Sequence, residues 1–262
     1  QTDVYHLAHD IPDMLRYQQQ SATSLVNLEK NGTFKITDEL VRGLDNLWFE
    51  NFFAPVWGAH YTGVAAGPAA NQFIQFDQAG SNPIDMIQQV ILARTEATGI
   101  RPNVMAISPQ VFQVLVNHSL VKDAIKYTQR AIIGETLTPA LIAQACGLKE
   151  VLVPESVISN HNDVDDANPG TGVNGMHFMA NNGSMNRGMF LCYVPDAPGE
   201  DTPAAGYTFR WNYGGTANEE GLRVTSWRSE ETSTLSLKVE ASLGYVQVAP
   251  ELGVTFSDAI SF

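Results

Sequence analysis

The sequence predicts an α+β fold made of two interleaved parts. Three observations carry this. A long amphipathic helix lies early in the chain, and a long alternating strand lies near its end. Between them, Asn103 to Val153 alternates short strands with short helices as a compact α/β unit. A long helix early, a long strand late and a compact unit between them suggest one elongated domain interrupted by a second.

The first stretch, about Gln1 to Ser24, is polar, and Ile11-Pro12-Asp13 breaks regular structure there. Asn31-Gly32 is a turn signal. The long helix is expected to start at Thr37, whose hydroxyl can cap free backbone N–H groups, with Asp38 and Glu39 at the positive end of its dipole. Its apolar stripe is Leu40, Val41, Leu44, Leu47, Trp48 and Phe52, widened by Phe49, Phe53 and Val56, and it ends near Pro55. Tyr61 to Gly80, rich in Gly, Ala and Asn, reads as a loop with a short strand around Phe73, Ile74 and Phe76. A second helix begins at Pro83 and closes at Gly99.

Val104 to Ile107 is a short apolar run, expected as a buried strand. Ser108-Pro109, Ser119 and Thr138-Pro139 each open a helix, and Gly147 closes the last one before a strand at Val151-Leu152-Val153. Asn160 to Gly188 is rich in Asn, Gly and Asp, the composition of a long surface excursion. Strands return at Met189 to Val194, Tyr207 to Tyr213 and Leu222 to Arg228. Leu235, Leu237, Val239, Ala241 and Leu243 then alternate, until the phase flips after Gly244 to Val246 and Val248, as at a bulge or bend.

The chain has 262 residues, 44% of them hydrophobic, so it can bury a sizeable core. No segment has the roughly 20 uninterrupted apolar residues of a membrane helix. Gln1 to Asp10 lacks the basic and apolar regions of a signal peptide, and the absence of a leading Met is the pattern of a processed or incomplete product. The net charge of -13, from 15 Lys and Arg against 28 Asp and Glu, argues against a dedicated nucleic-acid binder. It is compatible with a wall that encloses DNA without gripping it. Cys146 and Cys192 both lie in apolar runs, as buried small hydrophobes suited to a reducing cytoplasm.

Candidate chemistry is sparse. The sequence holds no His-Glu-x-x-His, no Cys-x-x-Cys, no Gly-x-Ser-x-Gly and no phosphate-cradling glycine loop. His6 and His9 would share a face only on a helix, and surface histidines are the preferred reading. Asp163, Asp165 and Asp166, within Asn160 to Asn168, could offer oxygen ligands to a divalent ion. They lack the glycine and final glutamate of an EF-hand loop, so a solvated loop tip is preferred. Acid pairs such as Glu219/Glu220 are adjacent and point apart on a strand. The aromatic run Trp48 to Trp57 has no interleaved basic residues and reads as core rather than a base-stacking platform. No catalytic residue, cofactor or metal is assigned.

Several ordered blocks resemble the major capsid protein family of tailed bacteriophages. They are Ala8 to Asp13, Ile36 to Gly58, Arg101 to Val104 with Ser108-Pro109, Ile125 to Arg130 with Leu141 to Val153, Tyr193 to Pro195 and Ala205 to Phe209. The last, Val239 to Tyr245 with Ala249 to Gly253, is the most specific. Their order, across nearly the whole chain, carries the resemblance. It implies the bacteriophage major capsid fold: a peripheral domain with a long spine helix and long antiparallel strands, and an inserted axial α/β domain. On this reading residues 1–24 are a remnant of an extended loop, 25–100 and 216–262 are peripheral, and 101–215 are axial. A further N-terminal arm and the outgoing half of the loop would precede Gln1.

The implied function is self-assembly into hexamers and pentamers of an icosahedral head in the virion, built in the host bacterial cytoplasm around double-stranded DNA. Scaffold, portal or decoration proteins are the implied partners, with no membrane. Asn160, Asp163, Asp165, Asp166 and Gly172 are the expected subunit-contact loop. The alternatives are an encapsulin-like nanocompartment shell around protein cargo and a divalent-metal enzyme using the Asp163–Asp166 loop.

Overall fold

The computed structural model describes residues 3–21, 27–53, 57–128, 137–159, 176–178, 187–199, 201–211 and 221–261. Contacts divide the chain into two compact units, each discontinuous in sequence: residues 1–48 with 207–246, and residues 49–206 with 247–262. The domain boundaries expected from the sequence were 24/25, 100/101 and 215/216.

In the first unit, strand β1 (Asp3–Pro12) pairs antiparallel with β11 (Thr234–Gln247) over ten residues, from Asp3 opposite Leu243 to Pro12 opposite Thr234. Strand β10 (Leu222–Ser229) pairs with the other side of β11, and β9 (Gly206–Arg210) also pairs with β11. The opening stretch is therefore a strand as far as Pro12, where irregular chain was expected. Its composition is polar because only alternate residues meet the core; Tyr5, Leu7 and Ile11 do so. Helix α1 (Asp13–Ser21) follows directly.

Helix α2 (Leu28–Trp48) starts nine residues before Thr37 and runs through the expected Asn31-Gly32 turn. The Thr37 hydroxyl bonds back to the Thr33 carbonyl at 2.7 Å, as it does inside a helix. The buried ridge is Gly32, Ile36 and Leu40, flanked by half-buried Leu28 and Leu44, all four apart, while Val41 is exposed. Gly32 sits inside the helix because the sheet comes close. A Cβ there would lie 3.2 Å from Leu237, 3.3 Å from His9 and 3.4 Å from Ile11. Tertiary proximity, not turn chemistry, accounts for this glycine.

In the second unit, a π-helical turn (Phe49–Phe53) leads to Trp57. Pro55, the expected helix end, lies outside the described residues. Among the described residues, one six-stranded sheet has the order β3 (Gln72–Ile74), β2 (Ala59–Val64), β12 (Gly253–Ser257), β8 (Met189–Cys192), β4 (Val104–Ile107), β5 (Glu150–Leu152). It is mixed: β12 runs parallel to β2 and antiparallel to β8. Strands β2 and β12 occupy segments where the sequence suggested loop or gave no element.

Helices α3 (Pro83–Thr98), α4 (Pro109–Asn117), α5 (Ser119–Thr128) and α6 (Pro139–Cys146) contribute to the main core. Alternate strand residues Met105, Ile107, Met189, Leu191, Val254 and Phe256 complete it. Local signals set these helices. Asn82 and Ser108 cap α3 and α4 through their side chains, each with proline in the first turn, and Gly99 and Gly147 end α3 and α6 in the left-handed conformation. A short antiparallel pair, β6 (Val157–Ser159) with β7 (Met176–Phe178), makes a third sheet.

Candidate assembly surface

The sheet of the first unit has two unlike faces. In an antiparallel pair, opposed residues share a face. Tyr5, Leu7, Ile11, Leu237, Val239 and Ala241 point toward α2, and this unit's apolar cluster lies on that side. The opposite face presents Val4, His6, Ala8 and Asp10 from β1, Ser236, Lys238, Glu240 and Ser242 from β11, and Arg223, Thr225 and Trp227 from β10.

Charge on this open face centres on Glu240. Lys238 Nζ lies 2.7 Å and Arg223 Nη1 3.4 Å from its carboxylate, and His6 stands opposite it on β1. The hydrogen bond from Lys238 holds the Glu240 carboxyl below the usual range; partial burial opposes this, and the charges of Lys238, Arg223 and His6 reinforce it. Asp10 accepts a 2.6 Å hydrogen bond from Ser236 Oγ. Around the polar centre, Val4 and Trp227 remain about half exposed. They stand opposite Ser242 and Ser236, at the two ends of the paired region, as singly exposed apolar residues.

The β1–α1 junction is fixed by Asp13, whose side chain is buried. Its carboxylate accepts from Arg228 Nη2 at 2.8 Å and from Arg16 Nη1 at 3.4 Å, and its backbone N–H donates to the Ser233 carbonyl. Arg16 also reaches Glu29 at 2.6 Å, the main reason its pKa is raised. This anchor aims α1 so that Met14, Leu15 and Tyr17 face solvent. Sequence reading missed it; buried Asp13 and its partners lie 3 and 215 residues apart, beyond any local pattern.

The expected contact loop, Asn160, Asp163, Asp165, Asp166 and Gly172, lies outside the described residues. His6 and His9 sit on a strand at an odd spacing, so they point to opposite faces, one across from Glu240 and the other across from Leu237. Among the described residues, no three His, Cys, Asp or Glu side chains gather as a metal site would require.

The second unit contains an imidazole–hydroxyl cluster around His60 that the sequence did not reveal. His60 Nδ1 lies 3.0 Å from Thr255 Oγ1, and Nε2 lies 3.2 Å from Ser257 Oγ and 3.3 Å from Thr62 Oγ1. The parallel register of β2 and β12 places these residues side by side. Thr255 and Ser257 are buried, His60 and Thr62 half-buried, and the cluster ties two strands together. Alternation in His60-Tyr61-Thr62 and Thr255-Phe256-Ser257 was the available signal. Cys146 and Cys192 are free and buried, and burial pushes each thiol up to about 12, which leaves almost no nucleophilic thiolate at neutral pH.

No family model matches the sequence, and no curated protein matches it. Solved structures do match, along almost all of it. A phage-related protein of Bordetella bronchiseptica superposes with a TM-score of 0.67 at 14% identity, over 98% of this chain and 75% of that one. The holo-SrpI encapsulin complex of Synechococcus elongatus gives 0.55 at 10% identity, over 100% of this chain and 76% of that one. The capsid of cyanophage P-SCSP1u gives 0.54 at 12% identity, over 98% and 72%. At such identities the likeness is one of fold. The chain has the mixed helix-and-sheet fold of phage capsid proteins, which the encapsulin shares.

Proposed function

We propose that this chain is a shell-building subunit, and in particular the major capsid protein of a tailed bacteriophage. The observation that carries the reading is the fold match over 98% of the chain to structures that include a phage capsid. The open charged sheet face and the exposed Met14, Leu15 and Tyr17 support it, because a subunit must meet several neighbours.

Assembly would follow from many modest heterologous contacts that close into rings of copies and then into a shell. Each contact is weak alone, so wrong contacts can dissolve, while a closed shell holds by their sum. Residues 25–100 and 216–262 act as the peripheral domain and 101–215 as the axial one. Asn160 to Gly172 serves as a contact loop; deletion of Asp163 to Gly172 then impairs particle formation, and unchanged particles would remove that role. Scaffold, portal and decoration proteins are the further partners of this reading, with double-stranded DNA inside, in a virion assembled in the host cytoplasm. The chain performs no catalysis in it.

The test is negative-stain electron microscopy of the purified product. Closed shells, rings or capsomer-like oligomers are expected. A monomer at high concentration, both alone and co-expressed with its neighbouring genes, overturns the reading. A second reading, a nanocompartment shell, is favoured by the encapsulin match at a TM-score of 0.55, level with the phage capsid at 0.54. Particles that copurify with one enzyme rather than nuclease-resistant DNA decide for it.

A further inference from the structure

We propose that residues 258–261 form a latch on the second unit, and that His118 is the pin that frees it on protonation. The latch follows β12 and turns inward at Asp258, whose backbone is left-handed (φ 51°). Gly63 makes room for that turn: a Cβ there would overlap the Asp258 carbonyl, with its carbon at 2.8 Å and its oxygen closer still. The catch is the turn after β3. Gln75 Nε2 donates to the Asp258 carbonyl at 3.2 Å, and the Phe76 N–H donates to the Ala259 carbonyl at 2.8 Å. The Asp77 carboxylate accepts from the Ser261 N–H at 3.2 Å and from the Ser261 hydroxyl. Ala259 and Ile260 are thereby seated in the core, at 0% and 2% exposure.

Ser81 ties this catch to the joint between α4 and α5. The serine is buried, and its Oγ lies 2.9 Å from the Gln78 carbonyl, 3.2 Å from the Phe76 carbonyl and 3.1 Å from His118 Nε2. Carbonyls only accept, so the one hydroxyl proton goes to them and His118 Nε2 must donate its own. The neutral ring therefore carries its proton on Nε2 and leaves Nδ1 bare. Nδ1 is buried and without a partner among the described residues. Protonation would create there a charged N–H with no acceptor, a costly group to bury.

Release follows from where His118 stands. It is the single residue between α4 and α5, with an extended backbone (φ -67°, ψ 130°), so the ring can swing out at a joint rather than inside a helix. Ser81 then loses its donor, and the turn it braces holds the latch less firmly. The charged groups on the neighbouring segments are Asp77 and Asp85 on either side of Ser81, Lys122 and Asp123 on α5, and Arg94 and Glu96 at the far end of α3; α4 and α6 carry none. Burial is what lowers the His118 pKa from 6.5. The latch is thus fully pinned above pH 6.5 and freed as pH falls through the lower folded value.

The experiment is native-state hydrogen exchange of the full chain at about pH 7.5 and about pH 5.5, corrected for intrinsic rates. In the wild type, the Ala259 and Ser261 amides should exchange with little dependence on denaturant, the mark of local opening. At the lower pH they should exchange about threefold to tenfold faster, the worth of one hydrogen bond. His118→Gln keeps a donor for Ser81 and cannot titrate, so its latch should stay closed at both pH values. Asp77→Asn should loosen the latch at both, yet keep the acid response. Latch amides that follow the β4 amides in denaturant dependence open only with the whole unit, which overturns the latch. An acid response that survives in His118→Gln, or is lost in Asp77→Asn, overturns the pin.

Discussion

Replacing Gly253 by alanine should damage the second unit more than most core substitutions. Gly253 opens β12, and its backbone is extended (φ -109°, ψ 147°), so conformation alone would admit any residue. Space does not. A Cβ there would overlap the Trp57 indole, with Cγ at 2.9 Å and two further ring atoms closer still. The ring cannot step aside. Trp57 Nε1 donates to the Phe52 carbonyl at 2.7 Å, and the indole packs on Phe190 with centroids 4.9 Å apart.

Overpacking against movable neighbours costs about 1–3 kcal/mol, and a locked ring puts Gly253→Ala near the top, at about 3 kcal/mol. Trp57→Ala should cost about 3–5 kcal/mol by itself. If the clash is the cause, the two losses do not add. The double variant should be about as stable as Trp57→Ala alone, a coupling of about 3 kcal/mol. Urea unfolding measures all four proteins; for a unit of this size the glycine change corresponds to a fall of about 6–12 °C in melting temperature. A loss under about 1 kcal/mol for Gly253→Ala, or simple additivity in the double variant, would refute the reasoning.

Three other outcomes follow from the same structure. Asp13→Ala should destabilise the first unit by about 1–2 kcal/mol in denaturant unfolding, because two charge-assisted hydrogen bonds at the β1–α1 junction are lost, while Glu29→Ala, which touches only the exposed end of Arg16, should cost much less. His118 bonds Ser81 Oγ through Nε2 at 3.1 Å and has a buried Nδ1 without a partner, and burial lowers its pKa from 6.5. The unfolded chain therefore takes up this proton first: the contribution is complete above pH 6.5 and lost as pH falls from there through the folded value, so thermal melts should show an acid-side slope that His118→Gln reduces. Finally, Cys146 and Cys192, with thiols pushed to about 12, should resist a thiol reagent in the native protein and react at once in denaturant; fast native labelling would contradict their burial.

The second unit was legible wherever its elements carry their own punctuation. Pro83 and Gly99 bracket α3, Ser108-Pro109 opens α4, and Thr138-Pro139 with Gly147 brackets α6, because caps and first-turn prolines act on the nearest backbone groups. Val104 to Ile107 matches β4 to the residue, since a strand buried on both faces reads as an unbroken apolar run. The alternation of Leu235 to Leu243 likewise gave β11 and its core-facing side. These signals fixed an α+β chain with a long helix early, a long strand late and an α/β unit between.

Tertiary structure decided the rest. β1 is polar in composition and becomes a strand only because β11, more than 220 residues away, supplies its partner along ten positions. Gly32 suggested a turn, yet it lies inside α2 because Leu237, His9 and Ile11 leave no room for a side chain. The Asp13 anchor, the His60 cluster and the Trp57–Gly253 contact each join residues on separate strands or turns of the fold. The sequence by itself determined where α3, α4 and α6 start and where α3 and α6 stop, since caps and first-turn prolines act within a few residues. Which strands pair, and therefore which polar groups converge on one face, was decided only by packing, because those contacts depend on distances in space that no local spacing encodes.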